Sequence, residues 1–188
     1  MKKAFVIFAL LASVAFAESH THDGFFLNLA LGAGYQKTTL STHDEDFDVA
    51  GGLGSPAFNF KIGGRIVDNL ILHASIINMY SAKVYKQLKD DYSMIGESMM
   101  GAGVTYYLPY NFFGTASLGM GRVFSVEDDD LDYSDYGFGL QAGVGKEWWV
   151  SDNWGLGVSA MFTYVSVSED HVDCSAPGIA IMFSATYN

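Results

Sequence analysis

The chain has 188 residues, which is enough for one domain, and it combines 21 glycines with 15% aromatic and only 16% charged residues. Its formal net charge of −11 does not fit a nucleic-acid partner. Beyond residue 17 no apolar run approaches the roughly 18 residues that a spanning helix needs, which excludes a helical membrane protein.

The N-terminus predicts a cleaved secretory signal peptide over residues 1–17. A pair of lysines precedes the apolar run 4–16, and small residues occupy the first and third positions before the predicted cut, after Ala17. This run is too short to anchor the chain as a helix. Residues 18–188 would then form one exported domain, in which Cys174 has no intrachain partner and is predicted to be incidental.

The first predicted strand covers residues 24–36. Large apolar residues occupy its odd positions from Phe25 to Tyr35, whereas its even positions are small or polar from Asn28 to Gln36. This is the period of two of a β-strand. Similar patterning predicts seven more strands, at residues 58–66, 70–80, 95–108, 112–124, 136–150, 154–165 and 178–187.

Three short turns recur along the chain, and each has an asparagine just ahead of an apolar residue. Asn69, Asn111 and Asn153 follow one another at intervals of 42 residues, which fits two strands, one long loop and one tight turn. Asparagine suits such turns because it tolerates left-handed backbone. Longer polar stretches alternate with these turns, at residues 38–48, 81–92, 126–135 and 167–177.

These features together predict an all-β protein, an eight-stranded antiparallel up-and-down transmembrane β-barrel. Short turns in the periplasm and long loops outside are typical of outer-membrane barrels. On the strand 154–165, bulky residues such as Leu156 and Phe162 alternate with small or polar ones such as Gly157 and Thr163. A soluble barrel would place the bulky apolar groups inside. We therefore expect lipid outside and a small, polar interior.

Aromatic residues near the strand ends are predicted to form two girdles at the membrane interfaces. The periplasmic girdle would contain Phe112, Trp148, Trp154 and Tyr187, and the outer girdle Tyr35, Tyr80 and Tyr164. Two cations, Arg122 and Lys146, fall on the lipid-facing side of their strands. We expect both to extend to the headgroups, or Arg122 to turn inward at a bulge.

The final strand has Ile179, Ile181, Phe183 and Ala185 on one face, with Tyr187 one residue before the end. Here the chain resembles OmpA/OmpX-type small outer-membrane β-barrel proteins, over the whole length after the signal peptide. The resemblance implies a location in the cell outer membrane and a C-terminal strand that the barrel assembly machinery reads. It departs from the family in that Asn188 is last, and it implies an architecture rather than an activity.

Five ionisable residues are predicted to lie inside the barrel as a polar cluster, namely Lys61, Arg65, His73, Glu97 and Glu147. Arg65 and Glu147 lie on opposite strands, so the cluster could form an ion-paired plug across the narrow interior. A gated ion path is the alternative. A wide pore is excluded, because porins need about sixteen strands.

Candidate catalytic residues are few. Outer-membrane lipid A deacylases use a histidine and a serine two positions apart on a strand, and His73 and Ser75 have that spacing. Both are predicted to face inward, away from lipid, so we expect two polar interior residues and no enzyme. Palmitoyltransferase-like chemistry could draw on His43 or His171, but loop histidines among acids are more often solvated.

Acidic residues cluster in the predicted loops, at Asp44, Glu45, Asp46, Asp48, Asp128, Asp129, Asp130 and Asp132. Carboxylates could bind divalent cations that bridge to lipopolysaccharide. No glycine-turned calcium loop is present, so solvated charge is the expected state, with no metal site and no cofactor. Lysines in the second loop, including Lys83, could contact phosphates.

The sequence thus predicts a non-enzymatic integral outer-membrane protein with a structural or surface-interaction role, in contact with outer-membrane lipid and lipopolysaccharide. The alternatives are a lipid A-modifying enzyme and a narrow channel for small solutes.

Overall fold

The computed structural model describes residues 21–22, 24–42, 45–84, 94–127, 130–169 and 172–188. The predicted signal peptide lies outside these residues. The described chain is built of β-strands, with one 3-10 turn at Pro109–Asn111. No described helix is long and apolar enough to cross a membrane.

Eight long antiparallel strands form the sheet, and two short strands extend it at one end. The long strands are β1 (Phe25–Ser41), β2 (Asp46–Val67), β3 (Leu70–Tyr80), β5 (Met94–Leu108), β6 (Phe112–Glu127), β8 (Gly137–Trp149), β9 (Trp154–Glu169) and β10 (Val172–Tyr187). The short strands are β4 (Lys83–Val84), which pairs with β2, and β7 (Asp130–Tyr133), which pairs with β6.

The first strand closes the barrel by pairing on both of its edges. Leu29 lies opposite Phe60 of β2 on one side and Ala185 of β10 on the other. Each remaining long strand pairs with its neighbours in chain order, so the predicted eight-stranded up-and-down barrel is confirmed. Closure leaves no long strand with an unpaired edge.

Three short turns lie at one end of the barrel, which we call the turn end; the opposite end is the loop end. Asn69 and Asn111 adopt left-handed backbone, with φ of 62° and 58°. Asn153 stabilises the third turn through its side chain, since its Nδ2 donates to the carbonyl of Asn188 at 3.1 Å. The backbone N–H of Asn188 donates to the Asn153 carbonyl at 3.0 Å, which ties the last strand to this turn.

At the loop end the predicted loops are too long, because much of their sequence is strand. Pairing of β1 with β2 continues to Ser41 opposite Asp46, and pairing of β9 with β10 continues to Glu169 opposite Val172. Similarly, Glu127 of β6 pairs with Asp130 of β7. The outward residues of these segments are mostly polar, so the alternation with large apolar residues is lost although the backbone hydrogen bonds persist. The predicted loops therefore include residues that are strand.

The two faces of the barrel have the predicted inverted character. Outward residues such as Leu31, Val144 and Phe183 have about two thirds of their surface exposed (65%, 65% and 66%). Inward residues such as Asn59 and Gln141 are fully buried. The sheet therefore exposes its apolar side chains and encloses its polar ones.

The interior is only partly small and polar, which corrects the prediction of a small, polar interior. Toward the loop end the interior is rich in methionine, with Met79, Met99, Met161 and Met182 buried alongside polar residues such as Glu97 and Gln141. These long side chains fit because glycines face them: a Cβ added at Gly139 would lie 2.6 Å from Met99 Cγ. We call these four methionines the methionine layer. Because glycines occupy other inward positions of the strands, the sequence pattern indicated small inward residues and did not indicate this layer.

The match between methionine and glycine predicts unequal effects for two substitutions in neighbouring strands. Gly139→Ala should destabilise the barrel by about 1 to 3 kcal/mol through overpacking against Met99. Gly114→Ala should stabilise it by about 0.4 to 1 kcal/mol, because nothing lies within 4 Å of the added Cβ and the unfolded chain loses freedom. Equilibrium urea unfolding in lipid vesicles measures both, and equal effects would contradict this account of the packing.

Candidate functional sites in the barrel interior and at the loop end

A chain of hydrogen bonds crosses the barrel interior between the turn end and the methionine layer. Lys61 Nζ donates to Thr115 Oγ1 at 2.9 Å, and the Thr105 hydroxyl also donates to Thr115 Oγ1 at 2.9 Å. His73 Nε2 lies 3.0 Å from Thr105 Oγ1. We call these four residues the polar layer. Lys61 and His73 are 4% and 2% exposed, so hydroxyl groups connect two of the predicted cluster residues inside the barrel.

The two predicted interior carboxyl groups lie apart from the polar layer and from each other. Glu97 lies toward the loop end, where it accepts a hydrogen bond from Thr163. Glu147 lies near the turn end, within 3.4 Å of both the Tyr107 hydroxyl and Asn188 Nδ2 as donors. Both are almost fully buried, and neither forms an ion pair with a described residue.

Arg65 does not belong to the interior cluster, and the predicted ion pair between Arg65 and Glu147 is wrong. The side chain of Arg65 is 39% exposed and its Nη1 donates to Asp68 Oδ1 at 3.1 Å, beside a register shift between Arg65 and Val67. At the very end of a strand a side chain of inward parity can reach water past the rim. The guanidinium then stays hydrated, so the alternation of inward and outward residues does not by itself predict where the Arg65 side chain lies.

Aromatic and aliphatic side chains fill the turn end of the interior. Phe26, Ile71, Tyr107 and Phe113 pack together, and the ring of His22 stacks on Tyr107 with centroids 3.4 Å apart. A cavity of about 10 Å³ is present between this cluster and the polar layer, large enough for about one water molecule. Side chains thus occupy the barrel axis where a pore would run.

A larger cavity opens at the loop end, with a volume of about 390 Å³. Leu40, Val123 and Val167 line it together with Asp132 and Glu169. Cys174, a buried free thiol, forms part of its wall. The sequence did not reveal this cavity, because its lining combines β1, β6 and β7 with β9 and β10, which lie in separate parts of the chain.

The predicted acidic residues lie at the loop end as far as the structure describes them. Asp44, Asp128 and Asp129 fall outside the described residues, while Glu45, Asp46, Asp130 and Asp132 are exposed. Asp48 pairs with Lys37 at 2.9 Å, and hydrogen bonds from Lys37 and Thr39 hold the pKa of Asp48 below its usual value. No group of three or more potential metal ligands occurs within the described part of the chain. Divalent-cation binding stays a prediction, as do phosphate contacts by the exposed Lys83.

The seven predicted girdle aromatics all lie on the outer face of the sheet. Four are at least 41% exposed, namely Tyr35, Phe112, Trp148 and Trp154, and the other three, Tyr80, Tyr164 and Tyr187, are partly covered. Aromatic neighbours account for some of the cover: Tyr187 packs edge-on against Trp154 with centroids 5.4 Å apart, and Tyr80 packs similarly against Phe124. Their position at membrane interfaces stays a prediction.

Arg122 and Lys146 both face outward, and aromatic rings cover their charges. The guanidinium of Arg122 lies 3.6 Å from the centroid of Tyr133, and Lys146 Nζ lies 4.4 Å from that of Phe112. Strand β6 continues through Arg122 without a register shift, so the alternative of an inward bulge is wrong. Phe112 is the direct cross-strand partner of Lys146, a relation that the linear sequence does not show.

Comparison with known proteins shows similarity of structure without similarity of sequence. No family model and no curated protein matches the chain. Neisserial surface protein A is 13% identical, with a TM-score of 0.54 over 84% of this chain and 95% of that one. The outer membrane protein OprG of Pseudomonas aeruginosa is 12% identical, with a TM-score of 0.51 over 90% of this chain and 98% of that one. The outer membrane protein AlkL is 12% identical, with a TM-score of 0.50 over 91% and 92%.

At these identities the likeness concerns the fold, and the closed barrel agrees with it in strand number and direction. The chain therefore has the fold of the small eight-stranded outer-membrane β-barrels.

Proposed function

We propose that this protein is an integral outer-membrane β-barrel without an open pore, with a structural or surface-interaction role carried by its loop end. The observation that carries the proposal is the inverted sheet, whose exposed outer face is apolar while its polar side chains are enclosed. Water would be a poor solvent for such a continuous apolar face, and lipid a good one. Export through a signal peptide at residues 1–17 and recognition of β10 by the barrel assembly machinery belong to the same proposal.

The filled interior supports a closed barrel over a solute channel. Eight strands leave an interior just wide enough for side chains. Here the methionine layer, the polar layer and the turn-end aromatics occupy it, with room left for about one water molecule beside Lys61.

The loop end supports a surface-interaction role because it presents a cavity and charge together. Asp132 and Glu169 lie at the cavity, and Glu127 and Asp173 are exposed nearby on the strand extensions. A partner that binds here would carry positive charge, or would share divalent cations with these carboxylates as lipopolysaccharide phosphates can.

The membrane-barrel proposal predicts heat-modifiable migration and recovery in the outer-membrane fraction. An unboiled sample should run differently from a boiled one on a gel, because a closed barrel resists detergent until heated. Ile181→Pro should abolish the difference, since proline cannot donate in the ladder that joins β10 to its neighbours. Ile181→Val is the matched control and should keep it. Recovery of the parent protein in the soluble periplasmic fraction would contradict the proposal.

The proposed orientation places the loop end outside the cell and the turn end in the periplasm. In a Cys174→Ser background, a membrane-impermeant maleimide should label Asp132→Cys on intact cells, because position 132 is exposed at the loop end. The same reagent should label Ser151→Cys, in the third turn, after permeabilisation alone. The reverse pattern of labelling would show the opposite orientation.

We also propose that the chain is not a lipid A-modifying enzyme. His73 and Ser75 are each 2% exposed and lie inside the barrel. His73 hydrogen-bonds with Thr105 in the polar layer, and an acyl chain has no access to either residue. His43 and His171, the other candidates, lie outside the described residues. Mass spectra of lipid A should be identical from cells with and without the protein. A change in acyl-chain content that depends on the protein would contradict this.

A further inference from the structure

We propose that the small cavity beside the polar layer binds one monatomic monovalent anion, such as chloride, with Lys61 and Asn59 as its principal partners. Both side chains line the cavity, together with the hydroxyls of Thr105, Ser159 and Ser184. None of the described residues that line it is a carboxylate.

The buried amine of Lys61 is the first observation. Lys61 is 4% exposed, and its protonated form uses one of three donors on Thr115. Lys61 forms no ion pair with any described residue, because Glu97 and Glu147 hydrogen-bond to other groups at other levels of the barrel. A buried charge without a counter-charge is costly, so an anion beside Lys61 would stabilise the folded barrel.

The unpartnered polar groups around the same cavity are the second, independent observation. Asn59 is fully buried, and neither its Nδ2 nor its Oδ1 has a hydrogen-bond partner among the described residues. The hydroxyl of Ser184, a residue that is 8% exposed, likewise has no partner in the described part of the chain. An amide N–H and a hydroxyl are both donors that an anion accepts from. Three potential donors from two strands, Asn59 and Lys61 of β2 and Ser184 of β10, therefore line one space.

The size of the space selects the class of anion. A volume of about 10 Å³ admits one water-sized particle. Among anions a halide comes nearest to that size, whereas phosphate, sulfate and carboxylic acids need several times that room. A water molecule would satisfy the amide and the hydroxyl but would leave the ammonium without a counter-charge.

The direct test is a crystal structure of the full chain refolded and crystallised in sodium bromide. An anomalous peak is expected in this cavity within hydrogen-bonding distance of Lys61 Nζ and Asn59 Nδ2. The Asn59→Asp variant should show no peak, because its carboxylate would supply the counter-charge within the protein. A cavity of the parent protein that holds a water molecule or nothing would overturn the proposal.

Thermal unfolding in a non-ionic detergent provides the solution test. The midpoint of the parent protein should be about 2 to 4 °C higher in sodium chloride than in gluconate of equal concentration, because binding to the folded state raises stability. Asn59→Asp and Lys61→Met should lose this difference, and Asn59→Asp decides the question if Lys61→Met does not fold. Lys146→Met, which removes a partly covered cation on the outer face, should keep it. No anion dependence in the parent, or an equal dependence in Asn59→Asp, would overturn the proposal.

Discussion

The hydrogen bonds between β1 and β10 remove the last two edges of the sheet, and most other features depend on that closure. Thirteen residues of β1, from Leu27 to Ser41 with gaps, have partners on β10. In lipid an unsatisfied backbone group costs several kcal/mol, so a sheet with open edges could not carry an apolar outer face there. Once closure satisfies the backbone, the outer side chains are free to be leucine, valine and phenylalanine. The polar side chains then have to be accommodated inside.

The enclosed polar residues are arranged so that hydroxyl groups, rather than opposite charges, serve as their partners. Threonines at 105, 115 and 163 connect to Lys61, His73 and Glu97. A hydroxyl can donate and accept at once, so it can join a cation, a ring nitrogen or a carboxyl group without a second desolvated charge. The methionine layer fills the remaining interior. Its flexible side chains occupy the irregular space that the facing glycines, which have no side chain, leave inside the barrel.

Much of the fold could be predicted from local patterns. Period two identified the eight strands and their inward and outward faces, and asparagine at 69 and 111 marked turns that need left-handed backbone. The failures involve contacts between residues that are distant in sequence or lie at a boundary. Lys61 and Thr115 are 54 positions apart, so no spacing connects them. Arg65 has inward parity but lies at the rim, and the strand extensions lack the apolar alternation because their outward residues are mostly polar.

The continuation of β9 and β10 to the loop end of the barrel bears on how antibodies would recognise this protein. Residues 165–169 and 172–176 are paired across the two strands, with the exposed Ser168 opposite the exposed Asp173. Neighbouring side chains on that surface therefore come from both strands, at the fixed spacing of a ladder. A synthetic peptide of either strand alone would lack its partner and its shape. Sera raised against the folded barrel should consequently recognise this region through epitopes that single linear peptides do not reproduce.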